Sequence, residues 1–243
     1  MQKSFLLLFI LSAFLSGKAQ TPDAGKRDSI IHLKGGQIRL TPFGFPEQIE
    51  VTDPSDSLLA ENIHFHFTRQ TDGKDIRLKS DGVQFTKKTP KTQEWKAIAS
   101  SDELKVEITA ILDNIGRLAY SVQVEVLADL DVKDIVMHIP FRKEMAGYMK
   151  GLGMKYGARP DSMFLWKWKA GSQDAEPVWI GAPKTGLQYT LAGGPDWTNA
   201  GKGGIGIGIK GKSMLANNYS GPRHLQKGDT LRYNFNLFIT PGE

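Results

Sequence analysis

Two stretches of strict alternation face each other across a turn sequence in the middle of this chain. Leu104, Val106, Ile108, Ala110 and Leu112 alternate with Lys105, Glu107 and Thr109, and Leu118, Tyr120, Val122, Val124 and Val126 resume the pattern after Asp113-Asn114-Ile115-Gly116. Successive strand side chains point to opposite faces, so each run hides one face and wets the other. The turn-forming tetrapeptide between them makes the pair an antiparallel hairpin. The same period returns in Leu231, Tyr233, Phe235, Leu237 and Ile239, set against Arg232, Asn234 and Asn236, and in Ile63-His64-Phe65-His66-Phe67. Shorter strand candidates are Val132–Ile139, Val178–Gly181, Gly186–Leu191, Ile205–Ile209 and Ser213–Tyr219. No amphipathic helix longer than two turns interrupts them, which excludes a doubly wound α/β sheet. The expected fold is all-β: a two-layer antiparallel β-sandwich over residues 30–243, one domain with Greek-key-like connections. A long irregular excursion is expected near 143–176, where glycines and aromatics lack a sustained period.

The start of the chain reads as an export signal. Lys3 supplies a positive charge, Phe5 to Leu15 is almost wholly apolar, and Ser16-Gly17-Lys18-Ala19 offers small residues for cleavage after Ala19. Residues 1–19 are therefore expected to be removed and 20–29 to form a flexible leader, in a secreted or periplasmic protein. The apolar run is shorter than the roughly 20 residues a membrane helix needs, and no other stretch is long and apolar enough. The chain has no cysteine, so apolar burial and hydrogen bonds hold the fold, and thiolate metal sites and cysteine nucleophiles are excluded. The formal net charge is +5 with its basic residues scattered, which does not make a nucleic-acid surface.

Several motifs invite chemistry. Gly206-Ile207-Gly208-Ile209-Lys210-Gly211-Lys212-Ser213 has the spacing of a phosphate-binding loop. That loop must lie between a strand and a helix. Here Ile205, Ile207 and Ile209 alternate through the motif itself, and Asn217-Asn218, Gly221 and Pro222 leave no room for a helix, so a glycine-rich strand is expected and no nucleotide. His64 and His66 share a strand face and can form part of a metal site only when a third ligand converges. Glu61 has the wrong parity and nothing in the sequence supplies another, so a solvated face and no metal are expected. His138, among Ile135, Val136, Met137 and Ile139, reads as half-buried, and His224 as a loop residue. No serine lies in a nucleophile elbow. Candidate acids of the irregular region include Asp161, Asp174, Glu176 and Asp196, but their spacing does not define the carboxyl pair of a glycosidase. No catalytic residue and no cofactor is assigned. Trp166, Trp168 and Trp197 are candidates to stack on a sugar, whereas Trp179, in an apolar strand, reads as core.

Taken together, Gly147-Tyr148-Met149-Lys150-Gly151-Leu152-Gly153, Gly157-Ala158-Arg159-Pro160, Trp166-Lys167-Trp168, Trp179-Ile180-Gly181, Gly186-Leu187, Trp197-Thr198-Asn199, Tyr219-Ser220-Gly221 and Ile239-Thr240-Pro241 resemble the N-terminal domain of glycoside hydrolase family 123 and its secreted bacterial relatives. The resemblance implies a β-sandwich followed by a (β/α)₈ barrel that holds an adjacent acidic pair and removes terminal β-linked N-acetylgalactosamine by a substrate-assisted mechanism. No position up to Glu243 inherits those acids. The expectation is therefore a non-catalytic sandwich that supports a catalytic barrel or contacts glycan, with Arg159 joining Trp166, Trp168 and Trp197 as candidate sugar contacts. The alternatives are an independent carbohydrate-binding module and a structural or docking domain.

Overall fold

A computed structural model describes residues 29–33, 36–51, 57–167, 176–192, 195–197 and 203–241. The export signal, the leader up to residue 28 and Trp168 lie outside the described residues. The strands are β1 (Ile30–Leu33), β2 (Gly36–Leu40), β3 (Pro46–Glu50), β4 (His64–Arg69), β5 (Lys79–Lys88), β6 (Thr92–Ser100), β7 (Leu104–Asp113), β8 (Arg117–Val126) and β9 (Leu130–Arg142). They continue with β10 (Tyr148–Gly151), β11 (Met154–Ala158), β12 (Phe164–Lys167), β13 (Val178–Ala182), β14 (Thr185–Ala192), β15 (Gly203–Lys210), β16 (Ser213–Tyr219), β17 (Arg223–Leu225) and β18 (Thr230–Pro241). Short 3-10 turns at Lys143–Met145 and Pro195–Trp197 are the helical pieces among the described residues.

The chain folds as antiparallel sheets. The larger sheet runs β11-β10-β13-β14-β18-β8-β7-β6-β5. The alternating runs of the sequence form its centre: β7 and β8 pair from Leu104↔Val126 to Leu112↔Leu118, and β18 pairs β8 on the other side. The smaller sheet runs β12-β15-β16-β9, and β17 continues the register of β16 along the same edge of β9. β4 takes the opposite edge of β9. A three-stranded sheet, β1-β2-β3, shares an open groove of about 670 Å³ with the Asp113–Gly116 turn of the central hairpin.

The inward stripes of the two main sheets form one core. Val106, Ile108, Val122, Val124, Tyr233 and Phe235 of the larger sheet are buried, as are Ile135, Met137, Ile139, Ile205, Ile207 and Ala216 of the smaller one. Each fully buried Val, Leu, Ile or Phe contributes about 1.5–3 kcal/mol. Phe65 of β4 lies 5.6 Å from Tyr233 and 6.3 Å from Phe235, ring to ring, and so joins the sheets. Tyr120 stacks on Phe235 at 4.8 Å. The Trp95 indole N–H and the Tyr120 hydroxyl both donate to the Gly44 carbonyl at 2.9 Å, tying the β2–β3 connection to the larger sheet.

The stretch read as an irregular excursion contains three short strands, β10, β11 and β12, which extend the edges of both sheets; 168–175 lie outside the described residues. Strands of four or five residues are too short to show a period, and β10 and β11 are broken by a bulge. Their turn, Gly151-Leu152-Gly153, holds all three residues at positive φ. Gly151 is required twice over, because a Cβ there would lie 2.2 Å from the Pro177 carbonyl oxygen. The phosphate-loop spacing is a strand, a two-residue turn and a second strand, β15 and β16, as the alternation of Ile205, Ile207 and Ile209 implies.

Trp179 is buried, but on the outer face of the larger sheet. Its neighbours in the strand, Val178 and Ile180, take the inward positions, and the indole lies over Gly181 and Gly186, where an added Cβ would come within 2.6 and 2.4 Å of the ring. The indole N–H donates to the Thr240 hydroxyl at 2.6 Å, which prevents the ring from swinging away. Gly186→Ala should therefore destabilise the protein by about 1–3 kcal/mol, the usual cost of overpacking. Thermal denaturation should show a midpoint several degrees lower. Gly147→Ala, where a Cβ meets nothing within 4 Å, should leave the midpoint nearly unchanged.

Candidate functional site: a histidine cluster on the outer face of the smaller sheet

Because Phe65 and Phe67 face the core, His64, His66 and Thr68 must face outward from β4. The same rule on β9 sends Ile135, Met137 and Ile139 inward and His138 outward. Strand pairing places His138 directly opposite His64 on one side and Asn217 of β16 on the other. Three imidazoles from two adjacent strands thus meet on one face. Their ring centres lie 4.7 Å (His64–His66), 5.1 Å (His64–His138) and 4.7 Å (His66–His138) apart. One ring nitrogen from each lies within 4.8 Å of the others, and all three residues are half-buried.

Each ring is held from behind. Nδ1 of His64 lies 2.7 Å from the Asn62 carbonyl oxygen, Nδ1 of His66 2.6 Å from Oδ2 of Asp75, and Nδ1 of His138 2.5 Å from Oδ1 of Asn217. Asp75 also accepts a hydrogen bond from the Thr68 hydroxyl at 2.8 Å. All three partners are acceptors, so each Nδ1 carries a proton, and in the neutral form of each ring the lone pair is on Nε2. Burial pushes the His138 imidazole down to about 4, against the raising effect of Asn217, and the nearby His66, His64 and Lys210 add to the depression. Burial also lowers His64. Burial alone would raise the Asp75 carboxyl, but the hydrogen bonds from Thr68 and His66 outweigh it and hold it below its ordinary value.

Of the residues singled out in the sequence as sugar contacts, Trp166, Trp197 and Arg159 do not gather here, and Trp168 lies outside the described residues. Trp197 is buried against Tyr233 at 4.9 Å, and its indole N–H donates to the Asn234 carbonyl at 2.9 Å. Its neighbour Asp196 accepts from the Arg232 backbone N–H at 2.9 Å and pairs with Arg223, while Ser220 donates to the Asp196 carbonyl at 2.6 Å. That network fastens the 3-10 turn to β17 and β18. Trp166 pairs with Ile205 on the inward side of the edge strand β12 and packs against the core. Arg159 donates to the carbonyl oxygens of Ala146 and Pro160, bracing the local backbone. Glu176 accepts from the Gly153 N–H at 3.0 Å, Asp161 is exposed, and Asp174 lies outside the described residues. His224, read as a loop residue, lies on β17 with Nδ1 2.6 Å from Asp131.

The sequence revealed the His64/His66 pair but not the third member. His138 stands in an apolar run whose one legible signal is its outward parity. Its position beside His64 depends on the β4–β9 register, which no local pattern encodes.

The depressed His138 and His64 make the cluster a source of acid sensitivity. The unfolded chain takes up these protons near the ordinary value of 6.5, whereas folded His138 waits until about 4. Stability from this source is complete above 6.5 and is lost as the pH falls through that window. His138→Asn should reduce the drop in thermal midpoint between about pH 7.5 and pH 4.5, a comparison that follows from the linkage of protonation to folding. An unaltered drop would show that acid sensitivity arises elsewhere.

Comparison with known proteins places this chain in a family. A family model described as the third domain of glycoside hydrolase 123 matches residues 25–195 and 191–241. The description numbers the domain third, whereas the sequence motifs resemble the family's N-terminal domain; the family is common to both. No curated protein matches the chain. A Salmonella typhimurium protein provisionally described as a mutarotase shares the fold, with a TM-score of 0.56 over 87% of this chain and 90% of that one, at 6% identity. An Escherichia coli K12 protein provisionally described as an aldose 1-epimerase aligns at a TM-score of 0.48 over 87% and 99% of the two chains, at 9% identity. With the match spanning nearly every described strand, this chain belongs to glycoside hydrolase family 123.

Proposed function

We propose that this chain is a non-catalytic β-sandwich domain of a secreted glycosidase-like protein, supporting a catalytic barrel or contacting glycan. The observation that carries the reading is the family match across almost the whole sandwich. The local chemistry agrees with it: Asp196 is engaged by Arg223 and the Arg232 N–H, and Glu176 caps the Gly153 N–H, so both serve local structure. Fold likeness to proteins described as a mutarotase and an epimerase carries no activity across, since one scaffold hosts many chemistries.

One observation favours the glycan arm. Tyr148 and Tyr156 are half-buried and stack within 8° of parallel at 5.6 Å, and Tyr156 meets Trp179 at 5.5 Å. These rings line the outer face of the larger sheet at its β10–β11 edge. Partly exposed aromatic rings of this kind suit the apolar face of a pyranose. Tyr148 and Trp179 belong to the Gly147–Gly153 and Trp179–Gly181 motifs that resemble the family, and Tyr156 immediately precedes the Gly157–Pro160 motif.

Two measurements test the proposal. The purified chain should not turn over aryl N-acetylgalactosaminides; turnover abolished by a single substitution in it would overturn the non-catalytic reading. On a glycan array the chain should show sugar binding that Tyr156→Ala weakens by about 10-fold and Tyr156→Phe preserves, in line with the contribution of one stacked ring. Binding unchanged by Tyr156→Ala would remove these rings as the contact, and no binding at all would leave support of the barrel as the role.

A further inference from the structure

We infer that His64, His66 and His138 form a binding site for a divalent transition-metal ion of the zinc class, on the outer face of the smaller sheet, with one coordination position open to solvent. This goes beyond the family reading and does not rest on it. Strand pairing brings the third imidazole to a pair that, in the sequence, lacks a third ligand. Among the described residues this is the one group of three or more histidine or acidic side chains whose ligand atoms converge in this way.

The arrangement behind the rings is the stronger observation. Each Nδ1 is committed to an acceptor: a backbone carbonyl at Asn62, a carboxylate at Asp75 and a side-chain amide oxygen at Asn217. Acceptors of these kinds orient metal-binding histidines, because they fix the tautomer and raise the basicity of the other nitrogen. A merely solvated face gives no reason for all three rings to be held in the same tautomer. The hydrogen bond from Thr68 to Asp75 extends the support one shell further. An ion 2.0–2.1 Å from each nitrogen would set the nitrogens about 3.4 Å apart, so from separations of 4.8 Å or less the site closes by at most about 1.4 Å on loading. Rotation about the side-chain bonds supplies that movement, while the paired strands keep the Cα frame rigid.

The donor set narrows the ion. Three neutral imidazoles suit zinc, copper, nickel and cobalt, whereas calcium and magnesium require oxygen ligands. Three histidines with a fourth position open differ from the closed four-ligand set of a structural zinc site. The core of the sandwich lies on the other side of these strands, so folding does not require the metal.

Chelator-stripped protein titrated with Zn²⁺ in a calorimeter should bind one equivalent. Co²⁺ should give the intense visible absorption of a low-coordinate histidine site. His66→Ala and His138→Ala should each weaken binding at least 100-fold, and Asp75→Asn about 10-fold, the effect expected of an outer-shell partner. His224→Ala, which removes a histidine also paired with an aspartate but on β17, should change nothing. Circular dichroism checks that each variant folds. His66 is the most informative position if His138→Ala fails that check, since its side chain stands at the exposed edge. No stoichiometric Zn²⁺ binding by the intact chain, or unchanged affinity in the His66 variant, would overturn the inference.

Discussion

Phe65 holds the architecture and the candidate site in one register. Its ring stands between the sheets, touching Tyr233 and Phe235 of β18, Trp197 of the 3-10 turn and Phe45 of the β2–β3 connection. A side-chain period of two leaves no freedom once that ring is inside: His64 and His66 must be outside. A slip of one residue would bury two imidazoles and expose the aromatic seam. The energy of the core therefore sets the direction of the histidines, even though they contribute little to it themselves.

The outward faces of the two sheets are built for different chemistry. On the larger sheet, Gly181 and Gly186 make a floor low enough for an indole to lie flat, and Tyr156 and Tyr148 continue the aromatic surface to the edge. On the smaller sheet, glycines also recur along the outer side of β15, where Gly206 lies under the Tyr219 ring, but the adjacent strands present imidazole and amide groups. Glycine does the same work in both places by removing the Cβ that would keep a ring away from the backbone. In the smaller sheet the first part of the apparent phosphate loop is this floor, where Gly206 and Gly208 alternate with the buried Ile205 and Ile207.

Much of the fold was legible from local pattern. Strands β7, β8 and β18 announce themselves because each has a polar and an apolar face over ten or more residues. Strands β5 and β6 do not. The β5–β6 ladder is interrupted by two register shifts, and β5 lies at the edge of the sheet with most of its side chains exposed, so no long apolar stripe forms. Strands β10 to β12 were hidden for a different reason, their brevity. Tryptophan content around 166–197 pointed to an exposed sugar surface, yet Trp197 is buried and donates its N–H to a strand carbonyl, while Trp179, read as core, lies buried on an outward face. A sequence records how apolar an indole is but not which side of a sheet it covers.

By itself the sequence determined an all-β chain, the central hairpin, the inward stripes and the pairing of His64 with His66, because each depends on neighbours two residues apart. Tertiary structure alone decided that His138 completes that pair, that Asp75 and Asn217 orient the rings, and that Gly186 makes room for Trp179. These partners are separated by up to 79 residues and meet only when strands choose their neighbours. That choice follows from burying aromatic surface between two sheets, a property of the whole chain that no short window contains.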